Sequence, residues 1–356
     1  VKGGKVKRRV LSFVLAVGLI AAACGGDDGD GGIGGGGDES LGVERVELAI
    51  DTDDYMNNLA WVVAQEKYWP ELGFTEDAKV VATDEYMAGL LGGDVWVVQG
   101  ESDLIWGALA EGSVPMKIVG VEKDTEAWFL GIRKGVDENN LEGLKISGGP
   151  PGDRNITVGE KILEDLGVDP ESMEWVSVEG SSDERLTAML AGQIDVAVLQ
   201  PRHLIPLDRA GGEMIYQEFV DAPQEVWVVT EDFISDPANE NAVCAYLSGR
   251  IQAKRWMGAG EDYTKNQDAA IALGRQADPP LEPAEGDLAE WETEITGNWA
   301  MDGGAPAAAF EQWNQDMINN ENVPEDFDWK DHVDFDCLWQ VQEELGLELN
   351  PSPDDI

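Results

Sequence analysis

The sequence predicts an α/β protein made of two units, each a mainly parallel sheet flanked by helices. Between residues 46 and 230, apolar runs of strand length alternate with amphipathic segments of helix length. That order imposes right-handed βαβ crossovers and parallel pairing. The alternation is broken once, by the polar turn 139–143 (NNLEG), and the same grammar then restarts. A weaker internal echo supports two units: 90–99 (LLGGDVWVVQ) parallels 190–200 (LAGQIDVAVLQ), a helix ending at Gly followed by a buried strand ending at Gln.

Each element follows from local pattern. Val46, Leu48 and Ile50 alternate with polar neighbours as a strand does, and 57–69 then shows apolar residues at helical spacing until Pro70 stops it. Strand 78–82 leads to a helix near 84–92, strand 94–99 to a helix at 102–111, and 117–122 is a further strand. In the second unit come strand 144–147, helix 154–167 ended by Gly167, strand 174–178, helix 183–191, strand 194–199 and helix 203–211. Strand 225–230 follows, Asp236-Pro237 opens a helix through Met257, and the remainder to 356 reads as helices separated by Pro and Gly. Trp291, Trp299, Trp313, Trp329 and Trp339 recur there at irregular spacing, the mark of helices packed on a sheet more than of ligand stacking.

The N-terminus has a different character. Lys2, Lys5, Lys7, Arg8 and Arg9 precede an apolar stretch, 10–23, that runs into Cys24. This is the layout of a secretory signal, and about 14 apolar residues fall short of the roughly 20 that span a bilayer. Residues 1–23 are therefore expected to be a removed signal peptide. Leu19-Ile20-Ala21-Ala22-Ala23-Cys24 resembles a bacterial lipobox, which implies lipidation of Cys24; Ala21 stands where that motif usually has Leu, so simple cleavage after Ala23 stays open. Residues 24–42 then form the lipidated Cys and a flexible tether, since 25–37 holds only Gly, Asp and one Ile and has no apolar surface to bury. The tether matches G-x-G-x-x-G at 32–37, but without a strand before it or a helix after it the match is compositional.

The chain carries 71 Asp and Glu against 24 Lys and Arg, a formal net charge of −47. Nucleic-acid binding is disfavoured, because that affinity rests on basic residues neutralising phosphates. The acids are spread along the chain, a uniformly acidic surface whose self-repulsion salt screens, which points to a saline environment. With Cys24 assigned to the anchor, Cys244 and Cys337 are left; an oxidising location makes a disulfide between them reasonable, and two buried small hydrophobes is the alternative.

Five segments carry a resemblance to a known family. They are 58–73 (NLAWVVAQEKYWPELG), 93–98 (GDVWVV), 110–119 (AEGSVPMKIV), 141–146 (LEGLKI) and 191–195 (AGQID), in this order. Together they resemble the sulfonate, nitrate and thiamine-precursor binding proteins of ABC importers, over roughly 43–256. The resemblance implies a type II periplasmic-binding-protein fold: two α/β lobes joined by a two-crossover hinge, closing on a solute. Lobe one would comprise 43–130 plus 225–356, including a helical C-terminal extension, and lobe two 131–224. Residues 257–356 are longer than the family's usual tail.

In open α/β sheets ligands bind beyond the carboxyl ends of strands, where the N–H groups of following helices are unpaired. This selects Asp51, Asp53, Tyr55 and Asn57 after the first strand, and Gln99, Glu101 and Ser102 after the third. In the second unit it selects Asp153, Arg154 and Asn155 at the end of a Gly-rich loop, and Gln200 and Arg202. The loop 147–155 matches the family's Gly-rich ligand loop in position, and ends at a helix N-terminus suited to an anion or carbonyl. Plainer roles stand beside these. Asp53, Asp54 and Ser102 can cap helices, Arg154 can pair with a neighbouring carboxylate, Trp128 fits the core as well as a roof over the cleft, and His203 reads as a solvated loop residue. Tyr55 is the candidate stacking wall.

An enzyme finds little support. The sequence contains no G-x-x-x-x-G-K-[ST], G-x-S-x-G or H-E-x-x-H motif, and two His in all. Carboxylate pairs are expected by chance among 71 acids. The pyrimidine synthases of the same fold carry a Cys-rich motif that this chain does not match. The expectation is thus an extracytoplasmic receptor, monomeric, without cofactor or metal, whose partners are a small-molecule solute, ABC permease subunits and the membrane through the lipid anchor. An anchored scaffold or adhesion protein is the alternative from another class. The ligand is open, with Tyr55, the tryptophans and the acids leaning toward a flat heterocycle or a partly cationic molecule over a sulfonate or nitrate.

Overall fold

The computed structural model describes residues 41–50, 55–82, 86–112, 115–149, 154–179, 182–200, 203–283, 287–288 and 291–356. The signal, Cys24 and most of the tether lie outside these residues, as do Asp51, Asp53, Asp153, Arg202 and the side chains of Arg154 and Trp128.

One sheet of eight strands organises the chain: β1 (Glu47–Ile50), β2 (Lys79–Ala82), β3 (Val97–Glu101), β4 (Met116–Ile132), β5 (Lys145–Ser147), β6 (Glu174–Trp175), β7 (Val196–Leu199) and β8 (Glu213–Thr230). Their order is β2-β1-β3-β8-β4-β7-β5-β6. β1 pairs in parallel with β2 and β3, and β5 with β6 and β7, whereas the central pairs β3–β8, β8–β4 and β4–β7 are antiparallel. Between the strands run α1 (Tyr55–Lys67), α2 (Tyr86–Gly92), α3 (Ser102–Glu111), α4 (Arg154–Asp165), α5 (Ser182–Leu190) and α6 (Leu204–Arg209). After β8 come α7 (Glu231–Ile234), α8 (Pro237–Met257), α9 (Gln267–Gly274), α10 (Trp291–Thr293), α11 (Ala307–Asn319) and α12 (Asp336–Glu344).

β4 and β8 are 17 and 18 residues long, far beyond the short strands expected at 117–122 and 225–230. Their ends are apolar and lie in different cores. Ile118, Val119, Val121, Val226, Trp227 and Val228 belong to the large core of β1, β3, α1 and α8, while Leu130 and Ile132 belong to a second core with Ile146, Ile162 and Val196. The middle of β4 is instead Glu122-Lys123-Asp124-Thr125-Glu126, and opposite it β8 carries Asp221 and Pro223. Charges and a proline leave these stretches without the apolar alternation that marks a strand. In the structure the ladder runs through them with register shifts at Val121/Lys123 and Lys123/Thr125, where Pro223, lacking an N–H, is accommodated. Two α/β lobes joined by two long strands is the type II periplasmic-binding-protein arrangement.

The C-terminal helices complete the large core. Phe310, Trp313, Trp329, Phe335 and Leu338 are buried in it, Phe310 stacks on Trp329 at 4.7 Å, and the Trp106 indole of α3 donates to Asn314 of α11 at 3.1 Å. Cys244 of α8 and Cys337 of α12 form a disulfide with Cα atoms 4.8 Å apart, across 93 residues of sequence. α8 itself begins as its sequence dictates: Asp236 accepts from the Ala238 N–H at 2.9 Å, and Pro237 occupies the first turn, where its missing N–H costs nothing.

Candidate functional site

The carboxyl ends of β1 and β3 meet the polar middle of β4 and β8, and the residues there are tied into one buried network. Gln99 Nε2 donates to Glu225 Oε2 at 2.8 Å, and Asn57 Nδ2 donates to the same oxygen at 3.0 Å. Glu225 Oε1 faces Lys123 Nζ at 2.8 Å. Gln99 Oε1 accepts from Arg250 Nη2 at 3.1 Å, and that guanidinium also lies 2.9 Å from Glu122 Oε1. Lys254 Nζ donates to the Glu122 carbonyl at 3.1 Å and sits 3.7 Å from its Oε2. Glu122, Arg250 and Lys254 are fully buried. Burial is tolerable because each charge has an opposite partner; a lone buried charge would cost several kcal/mol.

Titration follows from this burial. Desolvation, opposed by Glu122, lowers the Lys254 ammonium to about 8. Asp124, next along β4, is pushed up to about 7, first by desolvation and then by Asp302.

Several expected site residues have structural partners here. Gln99 and Asn57 are joined to Glu225. Ser102 is not the helix cap its position suggested: Glu101 holds that position without a capping bond from its side chain, and the buried Ser102 hydroxyl donates to the Pro223 carbonyl, tying α3 to β8. Glu101 is exposed at the strand's last position. Tyr55 is 8% exposed and its hydroxyl has no partner among the described residues. Burial raises that hydroxyl to about 12, with Asp287 adding to the rise and Arg275 opposing it, so the ring lies within reach of the segment after α9.

In the second lobe the Gly-rich loop closes on α4. Ser147 Oγ accepts from the Gly149 N–H at 3.3 Å, and a Cβ on Gly148 would stand 2.6 Å from the Asn155 carbonyl oxygen. Gly149 has φ +120°, open only to glycine. Asn155, in the first turn of α4, and Gln200 are both half-buried. His203 is buried, not solvated: its Nδ1 accepts from the Gln200 N–H at 3.2 Å and its Nε2 lies 2.8 Å from Asp183 Oδ1. It therefore braces the end of β7.

Sequence reasoning missed Lys123, Glu225, Glu294, Asn298 and Trp299. Glu294–Asn298 is a π-helical turn directly after α10. Trp299 bridges to Lys123 in antiparallel fashion, its indole donates to Asn57 Oδ1 at 3.1 Å, and Glu294 Oε2 stands 4.0 Å from Lys123 Nζ. Lys123 within an acidic run and the recurrence of Trp were the signals available.

Cavities of about 480 Å³, beside Trp329 and Lys330, and about 180 Å³, beside Gln65 and Trp69, lie on the extension and at the opposite ends of β1 and β2. A site between two closing lobes takes its walls from both and need not be an enclosed cavity, so the strand ends remain the better candidate. Among the described residues no group of three or more His, Cys, Asp or Glu is placed to hold a metal, and no helix is long and apolar enough to cross a membrane.

No family model and no curated protein sequence matches the chain. Solved structures do. The periplasmic aliphatic sulphonate-binding protein SsuA of Escherichia coli superposes with a TM-score of 0.60 at 14% identity, covering 82% of this chain and 97% of that one. The periplasmic nitrate-binding protein NrtA of Synechocystis PCC 6803 gives 0.63 at 13%, covering 88% and 93%. A DSZB mutant in complex with biphenyl-2-sulfinic acid gives 0.58 at 12%, covering 84% and 99%. At such identities the likeness establishes the fold, which is that of the periplasmic binding proteins.

Proposed function

We propose that this chain is the solute-binding receptor of an ABC importer, closing two lobes on a small organic molecule at the strand ends and handing it to a membrane permease. Lobe one is 43–130 with 225–356 and lobe two is 131–224, with the boundary inside the shared strands β4 and β8, where Leu130 already packs in the second core. The observation that carries the reading is the pair β4 and β8, whose apolar ends are fixed in separate cores and whose polar middles form the floor where strand ends of both lobes converge. The two cores are joined through β4 and β8, where the lobes can hinge, and a solute that touches both stabilises the closed state by its differential contacts.

Binding needs no reacting group, which suits this site. Both imidazoles have structural surroundings: His203 braces β7, and His332 stacks on Phe327 at 4.8 Å with its pKa lowered by burial. Lipidation of Cys24 and the tether 24–42 would keep a monomeric receptor beside its permease.

The test is a thermal-shift screen of the full chain against sulfonates, nitrate, pyrimidines, flavins and amines, because a ligand that binds only the folded state raises its melting point. A stabilising ligand whose effect is lost in Asn57→Ala and Gln99→Ala supports the receptor. If no compound shifts the melting point, and small-angle scattering shows one rigid shape throughout, the receptor reading fails and the anchored scaffold takes its place.

A further inference from the structure

The C-terminal extension reaches the strand-end floor through α10 and the π-helical turn Glu294–Asn298 that follows it. Turns of this width are rare and concentrate at functional sites. Three contacts fix the segment there: Trp299 bridges to Lys123, its indole donates to Asn57, and the Ala300 N–H donates to the Glu122 carbonyl at 3.0 Å. The turn itself is closed by the Trp299 N–H, which donates to the Glu294 carbonyl at 2.7 Å. Gly297 lies against the ring of Phe219 on β8, so closely that a Cβ would come within 2.4 Å of Cε1. The segment thus runs from the first turn of α1, across β4, to a half-exposed aromatic ring of β8 that meets Phe129 edge-on at 6.1 Å.

What it presents is acceptor chemistry. Asn298 is 5% exposed, and its Nδ2 donates to Glu294 Oε1 at 2.7 Å, which orients the amide. Its Oδ1 is buried and has no hydrogen-bond partner among the described residues, at a cost of about 1–3 kcal/mol if left so. A buried carbonyl oxygen held beside the Glu294 carboxylate, with the Glu225 carboxylate facing the same Lys123 ammonium, so that two carboxylates share that one cation, suits a group with several N–H donors and a positive charge. A sulfonate or nitrate, which only accepts, cannot satisfy it.

Resting on the receptor reading above, we propose that Glu294 and Asn298 form a subsite of the solute cleft that takes a protonated nitrogen group, an ammonium or amidinium, of the solute. The extension, as part of lobe one, thereby adds to that lobe's side of the cleft a wall beyond the strand ends, and sets specificity for cationic over anionic solutes.

Isothermal titration of the full chain with benzamidinium, benzylammonium, benzenesulfonate and benzyl alcohol tests this, with Glu294→Gln and Asn298→Ala as variants and Glu311→Gln, remote on α11, as control. The expected result is binding of a cation in preference to the sulfonate and the alcohol. Either site variant should weaken it about tenfold or more, as loss of a charged hydrogen bond implies, with the control unchanged. Melting of each variant without ligand reports folding separately. If the sulfonate or alcohol binds better, the receptor stands and this subsite is refuted. Cation binding that both variants leave intact refutes it as well. If no probe binds, the subsite is refuted too, and the broader screen decides the receptor reading independently.

Discussion

Replacing Asp124 by Asn should stabilise the protein at pH 8 much more than at pH 5. Asp124 sits in the polar middle of β4, where desolvation first and Asp302 second push its carboxyl up to about 7 from an ordinary 3.8. The sign follows from proton counting. Between those values the folded state holds a proton that the unfolded state has lost, so stability is full below 3.8 and is lost as pH rises through 7. At 1.36 kcal/mol per pH unit, an interval of about 3 units corresponds to about 4 kcal/mol as an upper limit, which water penetration and relaxation reduce. Most of that difference develops between pH 5 and 8, about 2–3 kcal/mol. Asn keeps the shape and the oxygen that accepts from Thr125 Oγ1 at 3.2 Å, and it does not titrate. Urea unfolding of both proteins at pH 5 and pH 8, in one high-salt buffer, isolates this residue, because the general repulsion of an acidic chain is common to the pair. A gap that stays constant with pH, or that narrows toward pH 8, would refute the reasoning.

Arg250→Met removes one of the two cations beside the fully buried Glu122, and by the usual cost of orphaning a buried charge should destabilise by about 3–5 kcal/mol, measured by chemical unfolding. Arg250→Met with Glu122→Gln should recover much of the loss; a double variant as unstable as the single would contradict the pairing. Reducing the Cys244–Cys337 bond frees a loop of 93 residues, which the loop-entropy relation puts at about 4–5 kcal/mol. A large drop in melting temperature with dithiothreitol, absent from a Cys244→Ala/Cys337→Ala variant, is expected. Gly148→Ala drives a Cβ toward the Asn155 carbonyl, so it should cost about 1–3 kcal/mol and displace the first turn of α4, visible as chemical-shift changes in the second lobe.

The strand and helix order was legible because periodicity is local: β1, β2, β5, β7 and α1 through α6 each sit within a few residues of where their apolar patterns put them. β4 and β8 were legible only at their apolar ends. Glu122-Lys123-Asp124 and Asp221-Ala222-Pro223 have the composition of loops, and they are strands because each supplies the other's backbone partners. The site divides in the same way. That Asn57 follows β1, that Gln99 lies in the carboxyl half of β3 and that Gln200 follows β7 could be read from order alone. That Gln99 is shared between Glu225 and Arg250, 126 and 151 residues further on, could not. Glu294 and Asn298 had no local signature, since a π-turn has none.

By itself the sequence determined the element types, the two-unit α/β plan and the acidic balance, and it pointed to the strand ends as the place to look for a ligand, all consequences of nearest-neighbour chemistry and spacing. The tertiary structure decided which charges are buried and with whom, that two polar stretches become crossover strands, and that the extension returns to the strand-end floor. Coulomb energy and hydrogen bonding depend on separation in space and on desolvation, and folding, not chain order, brought the carboxylates of Glu225 and Glu294 to 2.8 and 4.0 Å from the one ammonium of Lys123.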